Sequence, residues 1–126
     1  MAATLIRKQD APRFEVAGAE VTGYASPSRG SGSLAAWRVA LRPGASSPVH
    51  SLETDEVFIA LRGQAEFHLD GQVLSVGAGD GLTVAAGTSF RIVVTSAEGF
   101  EAAACVPAGS RARIGDGEPF APPWAV

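Results

Sequence analysis

Apolar and polar residues alternate in short segments along most of this chain, and the alternation predicts β-strands. Turn-forming residues separate the segments, and no window combines a sustained helical period with capping residues. About ten short strands separated by turns are typical of an all-β sandwich or barrel. The strands predicted from the alternation are residues 4–6, 13–16, 20–25, 34–41, 64–69, 72–76, 81–85, 89–95 and 100–106.

Three segments outside these strands have a distinct composition. Asp70-Gly71 stands between two alternating runs, which is a strong hairpin signal. Residues 26–33, SPSRGSGS, suit a surface loop better than a linker between domains. Residues 115–126, GDGEPFAPPWAV, are too rich in proline to pair within a sheet. Because the chain has 126 residues, we expect one domain that spans residues 1–126.

The composition is ordinary for a globular protein, with 46% hydrophobic and 18% charged residues. A net charge of −3, with scattered basic residues, argues against nucleic acid as a partner. No apolar run approaches the roughly 18 residues of a membrane helix, and the first residues lack the apolar core of a signal peptide. Cys105 is the single cysteine, so no internal disulfide forms, and we expect a cytoplasmic location. Nine arginines against one lysine, with abundant Ala and Gly, indicate a bacterial source.

The residues with catalytic potential are concentrated in residues 44–63, GASSPVHSLETDEVFIALRG. This stretch contains His50, one of two histidines in the chain, and Glu56, which precedes a run of strand-forming residues. Gly44 and Gly63 bracket the stretch. A histidine and a carboxylate at the mouth of an apolar cavity can exchange protons with a substrate, so this pair is a candidate for general acid–base catalysis.

Residues 43–94 resemble the two sequence motifs of the cupins, a family of small jelly-roll barrels. The first cupin motif spaces two histidines and a glutamate between two glycines, and the second contains glycines, a proline, a histidine and an asparagine. The resemblance implies an all-β, double-sheet jelly-roll barrel, and the proline-rich tail is similar to that of small bacterial single-domain cupins. The residues that match the two motifs are Gly44, His50, Glu56, Gly63, Gly79, Asp80 and Gly87.

The chain departs from the cupin motifs at the metal-binding positions. In metal-binding cupins three histidines and the glutamate hold the ion, but here Leu52 and Phe90 replace two of the histidines. Only His50 and Glu56 carry over, whereas functional transition-metal sites usually have three protein ligands. The other histidine, His68, is expected to face outward by strand alternation. We therefore expect no bound metal. A divalent transition metal, if bound, would be held by His50 and Glu56.

A pocket for a small molecule is expected inside the barrel, because the inward strand positions near His50 are apolar. Binding cavities combine mostly apolar walls with a few polar groups, and jelly-roll barrels often enclose ligands. The alternative is that these side chains simply fill the core, which for Trp37 means packing between the sheets. The candidate pocket residues are Leu52, Phe58, Phe90, Trp37 and Cys105.

Two further expectations concern the surface. Phe120 and Trp124 would be costly to expose together, so we expect them to cover an outer sheet face of the same subunit or of a partner. Arg38 and Arg91 point away from the cavity by alternation, and we assign them no role in ligand binding. A jelly roll of this length leaves sheet edges that need cover, and single-domain cupins commonly pair, so we expect a homodimer.

Three functions remain open. The first is a metal-independent isomerase, cyclase or lyase for a small, mainly apolar metabolite, in which His50 moves a proton and Glu56 orients it or shares the transfer. The second is a non-catalytic binding or sensor protein that uses the same pocket. The third is a metal-dependent dioxygenase, which the resemblance to metal-binding cupins implies.

Overall fold

The computed structural model describes residues 2–126, which are mostly β-strands. The helical elements of this described part are short 3₁₀ segments at Lys8–Asp10, Pro27–Arg29 and Pro123–Ala125. No helix in residues 2–126 is long and apolar enough to cross a membrane. The strands are β1 (Arg13–Val16), β2 (Ala19–Ala25), β3 (Leu34–Leu41), β4 (His50–Leu52), β5 (Glu56–Leu69), β6 (Gln72–Gly77), β7 (Gly81–Val84), β8 (Phe90–Val94), β9 (Phe100–Pro107) and β10 (Ala112–Ile114).

The strands pair antiparallel and curl into two layers. Their order is β1-β2-β3-β9-β5-β8-β4-β10, and β6 and β7 also pair with β5. Strand β5 belongs to both layers, because its first part pairs with β7 and β9 and its last part with β6 and β8. A β-bulge between Ala60 and Arg62 lies near this change of partner, and bulges bend the strand that carries them. The arrangement confirms the predicted all-β, double-sheet jelly-roll barrel.

Two glycines of the first motif are explained by the backbone. Gly63 has φ of +76°, and a Cβ placed there would lie 1.8 Å from the carbonyl oxygen of Gly99. Gly63 is therefore required both for its left-handed conformation and for the close approach of two chain segments. Gly44 also has a positive φ, of +77°, but no other atom lies within 4 Å of a Cβ placed there. Only the backbone conformation favours glycine at this position.

The core lies between the two layers and is built by strand alternation. Along β9, every second residue from Phe100 to Val106 is buried, while the intervening residues are partly exposed. The ring of Phe67 lies 5.1 Å from that of Phe58 and 6.1 Å from that of Phe90, measured between ring centroids. This aromatic cluster fills one side of the interior and leaves space for a cavity on the other.

Several segments differ from the sequence-based prediction. Residues 4–6 form no strand. Strands β4 and β10 were not predicted, because each is three residues long and too short to show alternation. They pair with each other and place Ala112 opposite Leu52. The tail does pair once, because the backbone N–H groups of Ala112 and Phe120 donate to each other's carbonyls at 2.8 and 2.9 Å. A single bridge needs only the N–H of Phe120, so the nearby prolines do not prevent it.

Candidate functional site

A cavity of about 310 Å³ lies between the two layers. Its walls are mostly aliphatic and aromatic, with Ser47, His50 and Glu56 among the few polar residues. Ile114 and Phe120 line the cavity and are also exposed to solvent, so they mark its rim. A concave apolar space with a few polar groups is the usual form of a small-molecule site.

His50 enters the cavity wall as the first residue of β4. Its ring packs on Phe90, its partner in the strand register, with ring centroids 4.3 Å apart. The Nδ1 atom lies 2.8 Å from the carbonyl oxygen of Pro48. Because a carbonyl can only accept, Nδ1 carries the hydrogen, and Nε2 of the neutral ring has a free lone pair. Burial lowers the pKa of His50, and the bond to the Pro48 carbonyl opposes this effect only in part.

Glu56 is the first residue of β5, and strand alternation directs its side chain inward. It is 4% exposed, and its Oε1 atom is buried without a hydrogen-bond partner. Desolvation by burial raises the pKa of the Glu56 carboxyl from 4.5 to about 8. The carboxyl is therefore mainly protonated at neutral pH and can donate a hydrogen bond.

His50 and Glu56 line the same cavity, and each side chain has its own surroundings there. Within residues 2–126, no hydrogen bond or ion pair joins the two side chains. Burial is the largest cause of both pKa shifts, and it disfavours the charged form of each group. At pH 7 the cavity wall therefore carries a protonated acid and a neutral base rather than an ion pair.

The other predicted pocket residues lie at different depths. Trp37, Leu52 and Phe58 line the cavity. Phe90 is buried outside the lining and supports the imidazole of His50 through ring contact.

The prediction that Cys105 faces the cavity is wrong. On β9 its neighbours Ala104 and Val106 are buried, whereas Cys105 lies on the outer face opposite Val57 of β5. Residues 102–104 are all alanine, so this strand has small apolar residues on both faces. The inward face could not be identified from such a pattern.

The tail lines the cavity, which corrects the prediction that its aromatic residues cover an outer sheet face. Phe120 and Trp124 both belong to the wall. The ring centroid of Trp124 lies 6.1 Å from that of Phe14 and 6.2 Å from that of Trp37. Nη2 of Arg29 donates to the Trp124 carbonyl at 2.6 Å and holds the tail in place. A proline-rich segment has no periodicity, so its sequence does not show which surface it covers.

The side chains present do not fit a resident transition metal. Leu52 and Phe90 occupy the positions where metal-binding cupins have histidines, and neither can ligate. Residues 2–126 contain no group of three His, Cys, Asp or Glu side chains that could hold a metal ion. His68 lies on the outer side of β5, as predicted, away from His50 and Glu56. Two donors are fewer than the three protein ligands that functional sites usually have.

The two-layer antiparallel barrel defines this chain as a jelly-roll protein, and His50 and Glu56 line its internal cavity. The chain belongs to the cupin family, because the family model Cupin_2, described as "Cupin domain", matches residues 37–106. The matched segment includes His50 and Glu56. No curated protein sequence matches the chain.

Several solved structures share the fold at low sequence identity. The polyketide cyclase RemF from Streptomyces resistomycificus is 16% identical, with a TM-score of 0.77 over 89% of this chain and 84% of that one. An RmlC-like cupin from Shewanella frigidimarina is 16% identical, with a TM-score of 0.72 over 84% and 91%. Salicylate 1,2-dioxygenase from Pseudoaminobacter salicylatoxidans, with gentisate, is 18% identical, with a TM-score of 0.70 over 85% of this chain and 31% of that one. These similarities show the fold alone.

Proposed function

We propose that this protein binds a small, mainly apolar metabolite in the cavity and catalyses its isomerisation, cyclisation or elimination without a bound metal. The observation that most supports this proposal is the presence of a protonated carboxyl and a neutral imidazole on the wall of one apolar cavity. When the environment keeps one group protonated and leaves another group free to accept a proton, the two can act as acid and base in one reaction. The cavity volume of about 310 Å³ suits a small ligand, because it is at the lower end of the roughly 300–1,000 Å³ found for ligand pockets.

In the proposed reaction, Nε2 of His50 removes a proton from a carbon next to a carbonyl. The Glu56 carboxyl gives its proton to the carbonyl oxygen, which produces an enol, an imidazolium and a carboxylate. For isomerisation, the imidazolium returns the proton at a different carbon and the enol proton returns to Glu56. For cyclisation, the enol carbon attacks a second carbonyl, whose oxygen takes the proton from His50. For elimination, the proton on His50 is transferred to the departing group. In the cyclisation and the elimination, too, the enol proton returns to Glu56 as the carbonyl re-forms, so both side chains end in their starting states.

Cyclisation is the reaction that we would assay first. RemF, which shares the fold over 89% of this chain, is a polyketide cyclase. The aromatic side chains of Trp37, Phe58 and Trp124 in the cavity wall would pack well against a planar ring. A carbonyl-bearing aromatic compound therefore combines the shape and the chemistry that the cavity favours.

Hydrogen–deuterium exchange tests the proton transfer without the natural substrate. We expect the wild-type protein to accelerate exchange at the methyl carbon of 2-acetylnaphthalene in D₂O, followed by proton NMR. His50→Gln and Glu56→Gln should each reduce this acceleration by about 100-fold or more, the usual contribution of a general acid or base. His68→Gln, which changes the outward histidine, is the matched control and should leave the rate unchanged. Equal exchange rates in the wild type and both cavity variants would reject the proposed chemistry.

The main alternative is a binding or sensor protein that uses the same cavity without chemistry. It is favoured by the absence of a hydrogen bond between His50 and Glu56 within the described chain, because no such bond couples the two groups before a ligand enters. Tight ligand binding with no deuterium exchange would support this alternative.

A metal-dependent dioxygenase is the other alternative, and its support is limited to the fold shared with salicylate 1,2-dioxygenase. Elemental analysis of protein produced with metal supplementation tests it. A stoichiometric transition metal would favour the dioxygenase over the metal-independent reaction.

We further propose that the protein forms a homodimer through the outer face of β5 and β9. Val57, Ile59 and Leu61 form a ridge of exposed apolar side chains on this face. Beside the ridge lies a groove floored by small residues such as Ala103 and Cys105. A ridge next to a groove is self-complementary in a two-fold pair, because each copy can fill the groove of the other.

Light scattering tests this interface. The wild type should be a dimer at micromolar concentration, and Ile59→Arg should make it monomeric because a charge would be buried on the ridge. Val73→Arg, at an exposed position of β6, is the control and should remain a dimer. A monomeric wild type, or a dimer that survives Ile59→Arg, would contradict the proposal.

A further inference from the structure

The charge of the cavity wall restricts the ligand that can enter. Among the described residues that line the cavity, none is a lysine or an arginine, and His50 and Glu56 are the titratable groups. The Ser47 hydroxyl is already used, since it donates to the Pro48 carbonyl at 3.2 Å and accepts the Ile92 N–H at 2.9 Å. Among the side chains of the wall, His50 and Glu56 therefore offer a ligand its main polar partners.

An anionic ligand would be poorly accommodated in this cavity. A carboxylate or phosphate group loses its hydration on entry, and burial of a charge is costly unless an opposite charge compensates it. His50 is the one wall residue that could become a cation, and burial lowers its pKa. Glu56 would repel an anion in its ionised form and offers no positive charge in its protonated form.

The Glu56 side chain lacks a hydrogen-bond partner among the described residues, and its protonated carboxyl can donate to an acceptor on a ligand. The carboxyl is buried, and Oε1 has no partner within the described protein. A buried polar group without a hydrogen bond is destabilising, so a ligand that supplies the missing bond gains affinity from it. A ketone oxygen accepts a hydrogen bond without carrying a charge.

We infer that the ligand of this cavity is an uncharged aromatic ketone whose oxygen accepts a hydrogen bond from Glu56. This inference rests on the proposed ligand-binding role of the cavity and names the ligand class. The rings of Trp37, Phe58 and Trp124 contact the aromatic part of the ligand, and Nε2 of His50 is available to a weakly acidic C–H or O–H group.

Isothermal titration calorimetry with two matched probes tests the charge requirement. 2-Acetylnaphthalene and 2-naphthoate share the same rings and differ in carrying a neutral methyl ketone or a carboxylate. We expect the ketone to bind about 100-fold more tightly than the carboxylate at pH 7, because the wall has no cation to offset the lost hydration. Equal or tighter binding of 2-naphthoate, or no binding of either probe, would overturn the inference.

The pH dependence of ketone binding tests the hydrogen bond itself. If only protonated Glu56 donates to the ketone, a pKa of about 8 makes the affinity about tenfold weaker at pH 9 than at pH 7. Glu56→Gln keeps an N–H donor but cannot titrate, so it should retain binding with a flat pH profile. A flat profile in the wild type, or an unchanged slope in Glu56→Gln, would overturn the inference.

The outcome for ligand class is separable from the outcome for catalysis. Ketone binding with the expected selectivity and pH dependence, but without deuterium exchange, would support the ligand class and reject the proposed reaction. Exchange that proceeds equally in Glu56→Gln would reject the role of Glu56 in catalysis even where the ketone binds.

Discussion

At the scale of single residues, burial determines the chemistry that Glu56 and His50 can perform. Glu56 is buried and His50 is half-buried in the apolar wall, and each therefore favours its neutral form. The sequence was sufficient to identify both residues as candidates. It could not show their protonation states, because these depend on burial and on whether the two groups form an ion pair, and residues 2–126 show no ion pair between them.

The raised pKa of Glu56 predicts a loss of stability as the pH rises. The folded protein binds a proton at this site up to about pH 8, whereas the unfolded chain releases it near pH 4.5. The stability contribution is therefore fully present below pH 4.5 and is lost as the pH rises through about 8. His50, whose pKa is lowered from 6.5, titrates below that value, so Glu56 dominates between pH 6.5 and 8.

Urea unfolding measures this effect. Between pH 6.5 and 8 we expect the titration of Glu56 to lower the free energy of unfolding of the wild type by about 2 kcal/mol. Glu56→Gln should abolish the decrease, because an amide does not titrate. Glu118→Gln, at an exposed glutamate in the tail, is the control and should behave like the wild type. The same pH profile in the wild type and Glu56→Gln would contradict the burial of this carboxyl.

At the scale of elements, strands are well predicted where alternation is long and poorly predicted where it is short or ambiguous. Strand β3 has the predicted bounds, Leu34–Leu41, and its large residues Trp37, Val39 and Leu41 share the inward face as the alternation predicts. Strands β4 and β10 were missed because three residues cannot establish a period. Strand β9 was predicted, but the alanines on both of its faces did not show in which direction Cys105 points.

The two motif glycines should respond differently to alanine. Gly44→Ala should cost about 1–2 kcal/mol, the penalty for a left-handed alanine in open space. Gly63→Ala should cost at least twice as much, about 3 kcal/mol or more, because its Cβ would also collide with the Gly99 carbonyl. Urea unfolding of the two variants compares these costs. Equal losses would show that the approach of Gly63 to Gly99 is not a steric constraint.

The position of Trp124 in the tail predicts that its removal lowers both the stability of the protein and its affinity for a ligand. Trp124→Ala should lower the free energy of unfolding by about 2 kcal/mol or more, because contacts with Phe14 and Trp37 are lost. The same change should weaken binding of 2-acetylnaphthalene, since Trp124 is part of the cavity wall. Trp124→Phe should preserve most of both properties. Unfolding and calorimetry that both match the wild type would contradict a structural role for the tail.

At the scale of the whole molecule, the fold was more predictable than the cavity. Alternation and turn residues are local signals that indicated an all-β sandwich or barrel, and the resemblance to the two cupin motifs implied the jelly roll. The inner wall depends on contacts between distant segments. Leu52 and Phe58 could be placed inside by parity, but the approach of Phe120 and Trp124 to that wall is a tertiary contact without a local pattern. The homodimer remains a prediction.

The most direct measurement is the protonation state of Glu56 in the folded protein. Carbon-13 NMR of side-chain carboxyls, with Glu56→Gln to assign the signal, follows its titration. We predict a protonated carboxyl at pH 7 with a midpoint of about 8. A carboxyl that is already ionised at pH 6, with a midpoint near the ordinary value of 4.5, would contradict the account of a neutral acid and base in an apolar cavity.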